Sequence, residues 1–270
     1  MTTEKIFLRP EDEKVTLTTY ISNDEPELKM PPRPAMVVFP GGGYHFLSDR
    51  EAEPIAKVFF AAGYQVFILR YSVEPNAVFP RPLVEASRAI VHIRENAAKY
   101  NVDPARVFVV GFSAGGHLAA SIGTLWHEDY AKASPDMPEG LNRPTGMILS
   151  YPVISSGPCA HCSSFYNLLG TKTPTEEQKR AYSLELHVDE HTVPAFIWHT
   201  ASDTCVPVQN SLLFASALAE HKIPFEMHIF PKGPHGLALA NEQTSSGNPG
   251  LIYPEVAQWV EEAIDWMKRA

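Results

Sequence analysis

One short segment combines a serine with closely spaced glycines: residues 111–116 read Gly-Phe-Ser-Ala-Gly-Gly. The segment follows an apolar run, Arg106–Val110, that predicts a strand, and it precedes a small-residue run from Ala114 that predicts a helix. A serine on such a sharp strand-to-helix turn exposes its hydroxyl, and the glycines let neighbouring segments approach it. The alternative is a glycine-rich turn with an incidental serine, which the strand and helix on either side disfavour. Ser113 is therefore the candidate nucleophile.

A serine hydroxyl is a weak nucleophile, so it needs a general base, and the base needs an acid that orients it. Asp203 directly follows the predicted strand Ala195–Thr200. His235 follows the predicted strand Phe225–Phe230, in a loop where Gly and Pro lie on both sides of one imidazole. The carboxyl ends of strands are where open α/β sheets bind ligands. We therefore interpret His235 as the general base and Asp203 as the acid that orients it.

The other acids and histidines near these strands are weaker candidates. Asp189 and Glu190 precede the strand Ala195–Thr200 instead of following it. Three further histidines lie within predicted strands or at a helix end, and we interpret them as core or surface residues: His199, His228 and His221.

A second glycine-rich segment follows the predicted strand Ala35–Phe39: residues 40–44 read Pro-Gly-Gly-Gly-Tyr. Acyl transfer needs hydrogen-bond donors for the oxyanion that forms on the substrate. Successive glycines leave their backbone amides unobstructed, although a triple glycine alone could also be a flexible turn. The expected oxyanion hole consists of the amides of Gly42 and Gly43, together with that of Ala114 beside the nucleophile.

The three cysteines form no recognisable metal or redox site. Residues 159–162 read Cys-Ala-His-Cys, but a zinc site needs four ligands, and Cys205 supplies no second pair. A redox dithiol would lack its usual strand–helix setting, so an incidental placement is favoured. We interpret His117, one turn into the predicted helix after Ser113, as a packing residue. No metal and no cofactor is predicted.

The elements that must position these residues alternate between strands and helices. This alternation predicts an α/β fold with a mostly parallel sheet and helices on both faces, and we expect the first strand, before any helix, to be antiparallel at an edge. Residues 48–51, Ser-Asp-Arg-Glu, have the form of a helix capping box. The predicted strands are Val15–Ile21, Ala35–Phe39, Gln65–Arg70, Arg106–Val110, Gly146–Tyr151, Ala195–Thr200 and Phe225–Phe230. The predicted helices lie near Asp49–Ala62, Arg81–Tyr100, Ala114–Leu125, Val208–His221 and Tyr253–Lys268.

One stretch, residues 155–193, fits no regular element and is too long for a plain connection in a compact domain. We expect it to be a partly helical insertion that lies over one end of the sheet and shapes the substrate pocket. The candidate residues Ser113, Asp203 and His235 come from both halves of the chain, so we expect residues 1–270 to form a single domain with a small cap at 155–193.

Composition narrows the class of protein. The chain has 270 residues, 44% of them hydrophobic and 20% charged, which is typical of globular proteins. Its formal net charge of −9 disfavours binding to nucleic acid or to an anionic membrane. Three cysteines are too few for a disulfide-stapled secreted scaffold, and residues 1–19 contain no apolar core of a signal peptide. The expected location is the cytoplasm, and a homo-oligomer is left open.

The four motifs together resemble the α/β-hydrolase superfamily over nearly the whole chain: Pro-Gly-Gly-Gly-Tyr, Gly-Phe-Ser-Ala-Gly-Gly-His, Ser-Asp-x-x-Val-Pro and Gly-x-His-Gly. Residues 40–51 look like the carbohydrate-esterase branch described as acetylxylan or feruloyl esterases. Pro40 stands where the hormone-sensitive-lipase branch has histidine. The resemblance implies a Ser113–His235–Asp203 triad in the superfamily's order, Ser then Asp then His.

The resemblance implies a serine esterase that removes short acyl groups, most simply acetyl, from carbohydrates such as xylo-oligosaccharides. The expected partner is thus a small acylated sugar. The alternatives are a general short-chain carboxylesterase or feruloyl esterase, a prolyl-oligopeptidase-like peptidase, and a member that binds a ligand without catalysis. A peptidase of that type would usually bring an extra N-terminal domain.

Overall fold

The computed structural model describes residues 1–23, 25 and 27–270 of the chain. Within these residues, eight strands form one sheet in the order β1-β2-β4-β3-β5-β6-β7-β8. The strands are β1 (Lys5–Phe7), β2 (Thr16–Tyr20), β3 (Arg33–Phe39), β4 (Gln65–Arg70), β5 (Val102–Phe112), β6 (Gly146–Ser150), β7 (Ala195–Thr200) and β8 (Phe225–Phe230). Strands β3 to β8 run parallel, whereas β1 and β2 are antiparallel to their neighbours. The predicted α/β class is confirmed.

The helices follow the sheet strands as the alternation predicts. They are α1 (Glu53–Ala61), α2 (Arg81–Glu95), α3 (Ala97–Tyr100), α4 (Ala114–Leu125), α5 (Cys162–Leu169), α6 (Glu176–Arg180), α7 (Gln209–Glu220), α8 (Pro254–Ala257) and α9 (Trp259–Met267). No helix among the described residues is both long and apolar enough to cross a membrane.

The core lies on both faces of the sheet because strand side chains alternate between the two faces. In β5, Val107 and Val109 pack in the cluster that α2, α4 and α7 cover. Phe108 and Val110 of the same strand pack in the cluster that α1 and α9 cover. Since both faces are buried, the central strands are apolar throughout, which is the pattern that predicted a parallel sheet.

Two local predictions are wrong. The strand predicted near residues 15–21, β2, is antiparallel but does not lie at the edge, because the short strand β1 pairs outside it. Ser48 makes no capping hydrogen bond, and the helix-like stretch begins as a 3-10 turn at Asp49–Glu51. The carboxylate of Glu51 turns instead towards the site described below.

The stretch 155–193 contains α5, α6 and a 3-10 turn. Asn167 on α5 donates its amide to the carbonyl of Gly43 at 2.8 Å, and the ring of Phe165 packs against that of His117. The Nε2 of His117 also faces the carbonyl of Tyr182 at 2.9 Å. The stretch therefore contacts the carboxyl end of the sheet through α4 and the glycine loop, while its description as the cap of a single domain stays a prediction.

Candidate active site

Ser113 occupies a strained turn between β5 and α4. Its backbone angles, φ 53° and ψ −117°, lie outside the regions that residues with a Cβ normally adopt. The turn is packed too tightly for larger residues, because a Cβ on Gly111 would lie 2.1 Å from the carbonyl oxygen of Gly115. A Cβ on Gly115 would lie 2.1 Å from the carbonyl oxygen of Phe39. The glycines thus hold the serine between the ends of β3 and β5.

The structure brings Ser113, His235 and Asp203 into one hydrogen-bonded chain. The Oγ of Ser113 lies 2.8 Å from Nε2 of His235, and Nδ1 of His235 lies 2.6 Å from Oδ2 of Asp203. Because the carboxylate can only accept, the proton of the imidazole is on Nδ1, and Nε2 is free to accept the serine proton. This is the arrangement that a general base needs for activating a hydroxyl.

Asp203 is buried, yet it is held in the charged form. Burial raises the pKa of this carboxyl, but hydrogen bonds from His199, His235 and the amide of Val206 outweigh it and hold the pKa well below its usual range. Oδ1 accepts the amides of Cys205 and Val206 at 2.9 and 3.0 Å, which leaves Oδ2 for the imidazoles. The negative charge is therefore fixed where it can orient His235.

His199 is a core residue, as its place in a predicted strand indicates, but it also contacts the acid. Its Nε2 lies 2.9 Å from the carbonyl of Val206 and 3.3 Å from Oδ2 of Asp203. Both partners are acceptors, so Nε2 carries a proton and donates to them. On the other side of the ring, Nδ1 pairs with the hydroxyl of Ser211 at 2.8 Å. The contact of His199 with Asp203 could not be recognised from the sequence pattern.

Two of the three residues whose amides are expected to form an oxyanion hole, Gly42 and Gly43, line the cleft at Ser113, and the third, Ala114, directly follows Ser113. Gly42 and Gly43 both have positive φ values, 128° and 65°. In the described part of the chain, the amides of Gly42, Gly43 and Ala114 donate to no protein acceptor. Amides without a partner, two in the loop after β3 and one at the first turn of α4, can donate hydrogen bonds to an oxyanion that forms beside Ser113.

A buried carboxylate connects the glycine loop to the loop that carries His235. Oε2 of Glu51 accepts the amide of Gly41 at 2.9 Å, and Oε1 accepts the hydroxyl of Tyr151 at 2.6 Å. The same hydroxyl accepts the amide of Ala238 at 3.0 Å, and the ring of Tyr151 lies edge-on to that of His235 with 5.0 Å between centroids. Glu51 thus fixes both sides of the site, a role that sequence reasoning missed.

Glu51→Ala is expected to lower the free energy of unfolding by about 2–3 kcal/mol, because it leaves the Tyr151 hydroxyl and the Gly41 amide buried without an acceptor. Urea denaturation measures the change. Glu53→Ala is the matched control, since Glu53 is exposed and forms an ion pair with the exposed Lys57 across one helical turn. It should lose about 0.5 kcal/mol or less. Equal losses in the two variants would contradict the role assigned to Glu51.

The cleft above Ser113 has a volume of about 440 Å³. Besides the residues already named, side chains from the glycine loop and from α5 with its preceding residue line it: His45, Phe46, His161, Ser163 and Asn167. Cys205 also lines the cleft, and the three cysteines are free. Tyr44 and Tyr71 are buried.

The chain is similar to several known proteins. Residues 24–218 match the BD-FAE family. Endo-1,4-beta-xylanase B of Butyrivibrio fibrisolvens is 42% identical over 88% of this chain and 37% of that protein. An acetylxylan esterase of Xylanibacter ruminicola is 31% identical over 87% of this chain and 45% of that protein. The crystal structure of an acetyl ester-xyloside bifunctional hydrolase from Caldicellulosiruptor lactoaceticus is 36% identical, with a TM-score of 0.84 over 98% of this chain and 96% of that one.

The chain spans less than half the length of these two curated relatives. The family match covers well over half of the chain, and solved α/β-hydrolases superpose on nearly all of it. The resemblance found in the motifs is confirmed: the chain belongs to the BD-FAE family, in the esterase branch of the α/β-hydrolases.

Proposed function

We propose that this chain is a serine esterase that removes short acyl groups, most simply acetyl, from carbohydrates such as xylo-oligosaccharides. The observation that carries the proposal is the hydrogen-bonded chain from Ser113 through His235 to Asp203 at an open cleft, near the amides of Gly42, Gly43 and Ala114, which donate to no acceptor among the described residues. Nucleophile, base, orienting acid and oxyanion donors are the parts that acyl transfer needs.

In the proposed reaction, Nε2 of His235 takes the proton of Ser113 as its oxygen attacks the ester carbonyl. The amides of Gly42, Gly43 and Ala114 bind the oxyanion of the tetrahedral intermediate. The bond between the acyl carbon and the sugar oxygen then breaks as His235 gives its proton to that oxygen, so the sugar leaves with a free hydroxyl and the acyl group remains on Ser113. Water, deprotonated by His235, attacks the acyl group and releases the free acid and Ser113.

The choice of substrate rests on two supports. The first is the acyl-sugar chemistry in the names of the acetylxylan esterase and the acetyl ester-xyloside hydrolase that the chain resembles. The second is the lining of the cleft, where His45, His161, Ser163 and Asn167 offer hydrogen-bonding groups to sugar hydroxyls.

A substrate panel tests this proposal. Acetate release from acetylated xylo-oligosaccharides should exceed ferulate release from feruloylated ones by about tenfold or more in kcat/KM. Faster ferulate release would favour the feruloyl esterase, and turnover restricted to simple aryl esters the general carboxylesterase. Cleavage of aminoacyl amides in preference to all esters would favour the peptidase.

A fluorophosphonate probe separates these enzymes from a ligand-binding protein that lacks catalysis. The probe should label the wild-type chain at Ser113, because His235 is placed to activate that hydroxyl. Failure to label would favour the non-catalytic alternative.

A further inference from the structure

Three potential metal ligands meet at the edge of the sheet opposite the cleft. One nitrogen from each ring of His127 and His191, and one carboxylate oxygen of Asp189, all lie within 4.8 Å of one another. His127 lies just beyond the end of α4, and the other two residues precede β7. We propose that these three residues bind a divalent transition-metal cation such as Zn²⁺, which ties the end of α4 to the start of β7.

The spacing of the ligand atoms fits coordination better than hydrogen bonding. Nε2 of His127 lies 3.5 Å from Oδ2 of Asp189 and 3.8 Å from Oε1 of Glu128. Both distances exceed the usual length of a hydrogen bond, about 2.7–3.2 Å. Two ligands on a tetrahedral zinc, with bonds of about 2.0–2.1 Å, stand about 3.3 Å apart. One ring nitrogen of the exposed His191 side chain lies within 4.8 Å of both other ligand atoms.

Among the described residues, the ring of His127 makes no hydrogen bond of usual length. Its Nδ1 is buried and has no hydrogen-bond partner among the described residues. The ring packs between Trp126 and His191, with 5.6 and 4.5 Å between centroids. Among the described residues no hydrogen bond of usual length orients Nε2 of His127 towards Asp189, and coordination of a shared cation at Nε2 would supply that missing partner.

Contacts of the folded chain already orient the carboxylate of Asp189 and hold the backbone of His191. Oδ1 of Asp189 accepts the amide of His191 at 2.9 Å and lies 3.4 Å from the hydroxyl of Thr192, so Oδ2 is left to face His127. The carbonyl of His191 accepts the indole N–H of Trp126 at 2.8 Å. In metal sites, further hydrogen bonds usually orient each ligand and hold the ligand atom that does not bind the metal.

The charge and the ligand types select the kind of cation. Asp189 and the neighbouring Glu128 supply negative charge, and the carbonyl end of α4 adds to it. Two imidazoles with a carboxylate suit borderline cations such as Zn²⁺, whereas Ca²⁺ and Mg²⁺ prefer oxygen ligands alone. The fourth position is open to water or to the carboxylate of Glu128.

Such a cation would act on stability and not on the reaction. Helix α4 starts directly after Ser113, and β7 leads into Asp203, so residues of the active site lie at the far ends of both elements. A bond between their near ends would be present in the folded chain and absent in the unfolded one. Binding that is specific to the folded state raises the melting temperature.

The test is titration of the chelator-treated, full-length chain with Zn²⁺ in a calorimeter. The wild type should bind one equivalent and show a higher Tm. His127→Gln and His191→Gln should each weaken binding about 100-fold or more, and Asp189→Asn about 10-fold or more. His228→Gln is the matched control, because His228 is also half-buried beside two carboxylates, Glu226 and Glu262. Its affinity should equal that of the wild type.

A second measurement uses the wild type alone, so it does not depend on whether the variants fold. Co²⁺ bound at this site should show the absorption of a tetrahedral nitrogen and oxygen site without a thiolate charge-transfer band. A thiolate band, or a loss of binding in Cys159→Ser/Cys162→Ser, would assign the metal to the cysteines and overturn the proposal. Absent stoichiometric uptake, or uptake that survives in the His127→Gln/His191→Gln double variant, would also overturn it.

Discussion

Ser113→Ala is expected to reduce acetate release from acetylated xylo-oligosaccharides by about 10⁴-fold or more in kcat. The reason is that the Oγ at 2.8 Å from His235 is the nucleophile that attacks the ester in the proposed mechanism. Without it, His235 has no hydroxyl to activate, and catalysis depends on the oxyanion donors and on substrate binding. Initial rates with acetylated oligosaccharide and with p-nitrophenyl acetate measure the loss.

The fold should tolerate this change. The substitution removes one oxygen and leaves the backbone bonds of residue 113, to the carbonyl of Ser150 and from the amides of His117 and Val153, in place. The melting temperature should therefore stay close to that of the wild type. Ser134→Ala, at an exposed serine outside the cleft, is the control and should keep full activity. Undiminished turnover in Ser113→Ala would reject the proposed nucleophile.

The parts of the site that could be predicted from the sequence are those that lie next to a recognisable strand end. Ser113 follows β5, Asp203 follows β7 and His235 follows β8. A parallel sheet brings the carboxyl ends of its strands to one edge, so the element pattern alone places these three residues near each other. Local signals such as glycine and proline then identify the turns in which they stand.

The parts that could not be predicted depend on contacts between distant positions. Glu51 reaches Tyr151 across 100 residues of sequence, and nothing around either residue indicates the pairing. The local pattern was also misleading, because Ser-x-x-Glu at residues 48–51 is typical of a capping box. His199 lies in an apolar strand, where a histidine is usually a packing residue. Only the register of β7 shows that it faces Asp203.

The hydrogen bonds of Glu51 and Asp203 suggest why the site can hold two buried carboxylates. In each carboxylate both oxygens accept hydrogen bonds. Asp203 accepts them from two backbone amides and two imidazoles. Glu51 accepts them from one backbone amide and one hydroxyl. Buried acids are tolerated when donors compensate for the loss of water. Removing any one donor or acceptor is therefore expected to disturb its neighbours.

Asp203→Asn is expected to lower kcat by about 10⁴-fold while the fold persists. The amides of Cys205 and Val206 both donate to the Oδ1 position, so the side-chain carbonyl of Asn must take that place. Its NH₂ group then occupies the Oδ2 position and points at Nδ1 of His235. The imidazole can only accept there, which moves its proton to Nε2. In that tautomer His235 cannot take the proton of Ser113.

The matched control is Glu190→Gln. Glu190 is an exposed acid that precedes β7, whereas Asp203 follows it, so this substitution should leave kcat unchanged. Rates with p-nitrophenyl acetate and the melting temperature of each variant distinguish loss of the base from loss of the fold. Asp203→Ala should be impaired as well, but it imposes no tautomer on His235, so it should retain at least as much activity as Asp203→Asn. Loss of an orienting acid lowers kcat by far more than about tenfold. A kcat for Asp203→Asn within about tenfold of wild type would therefore show that this carboxylate does not set the protonation of His235.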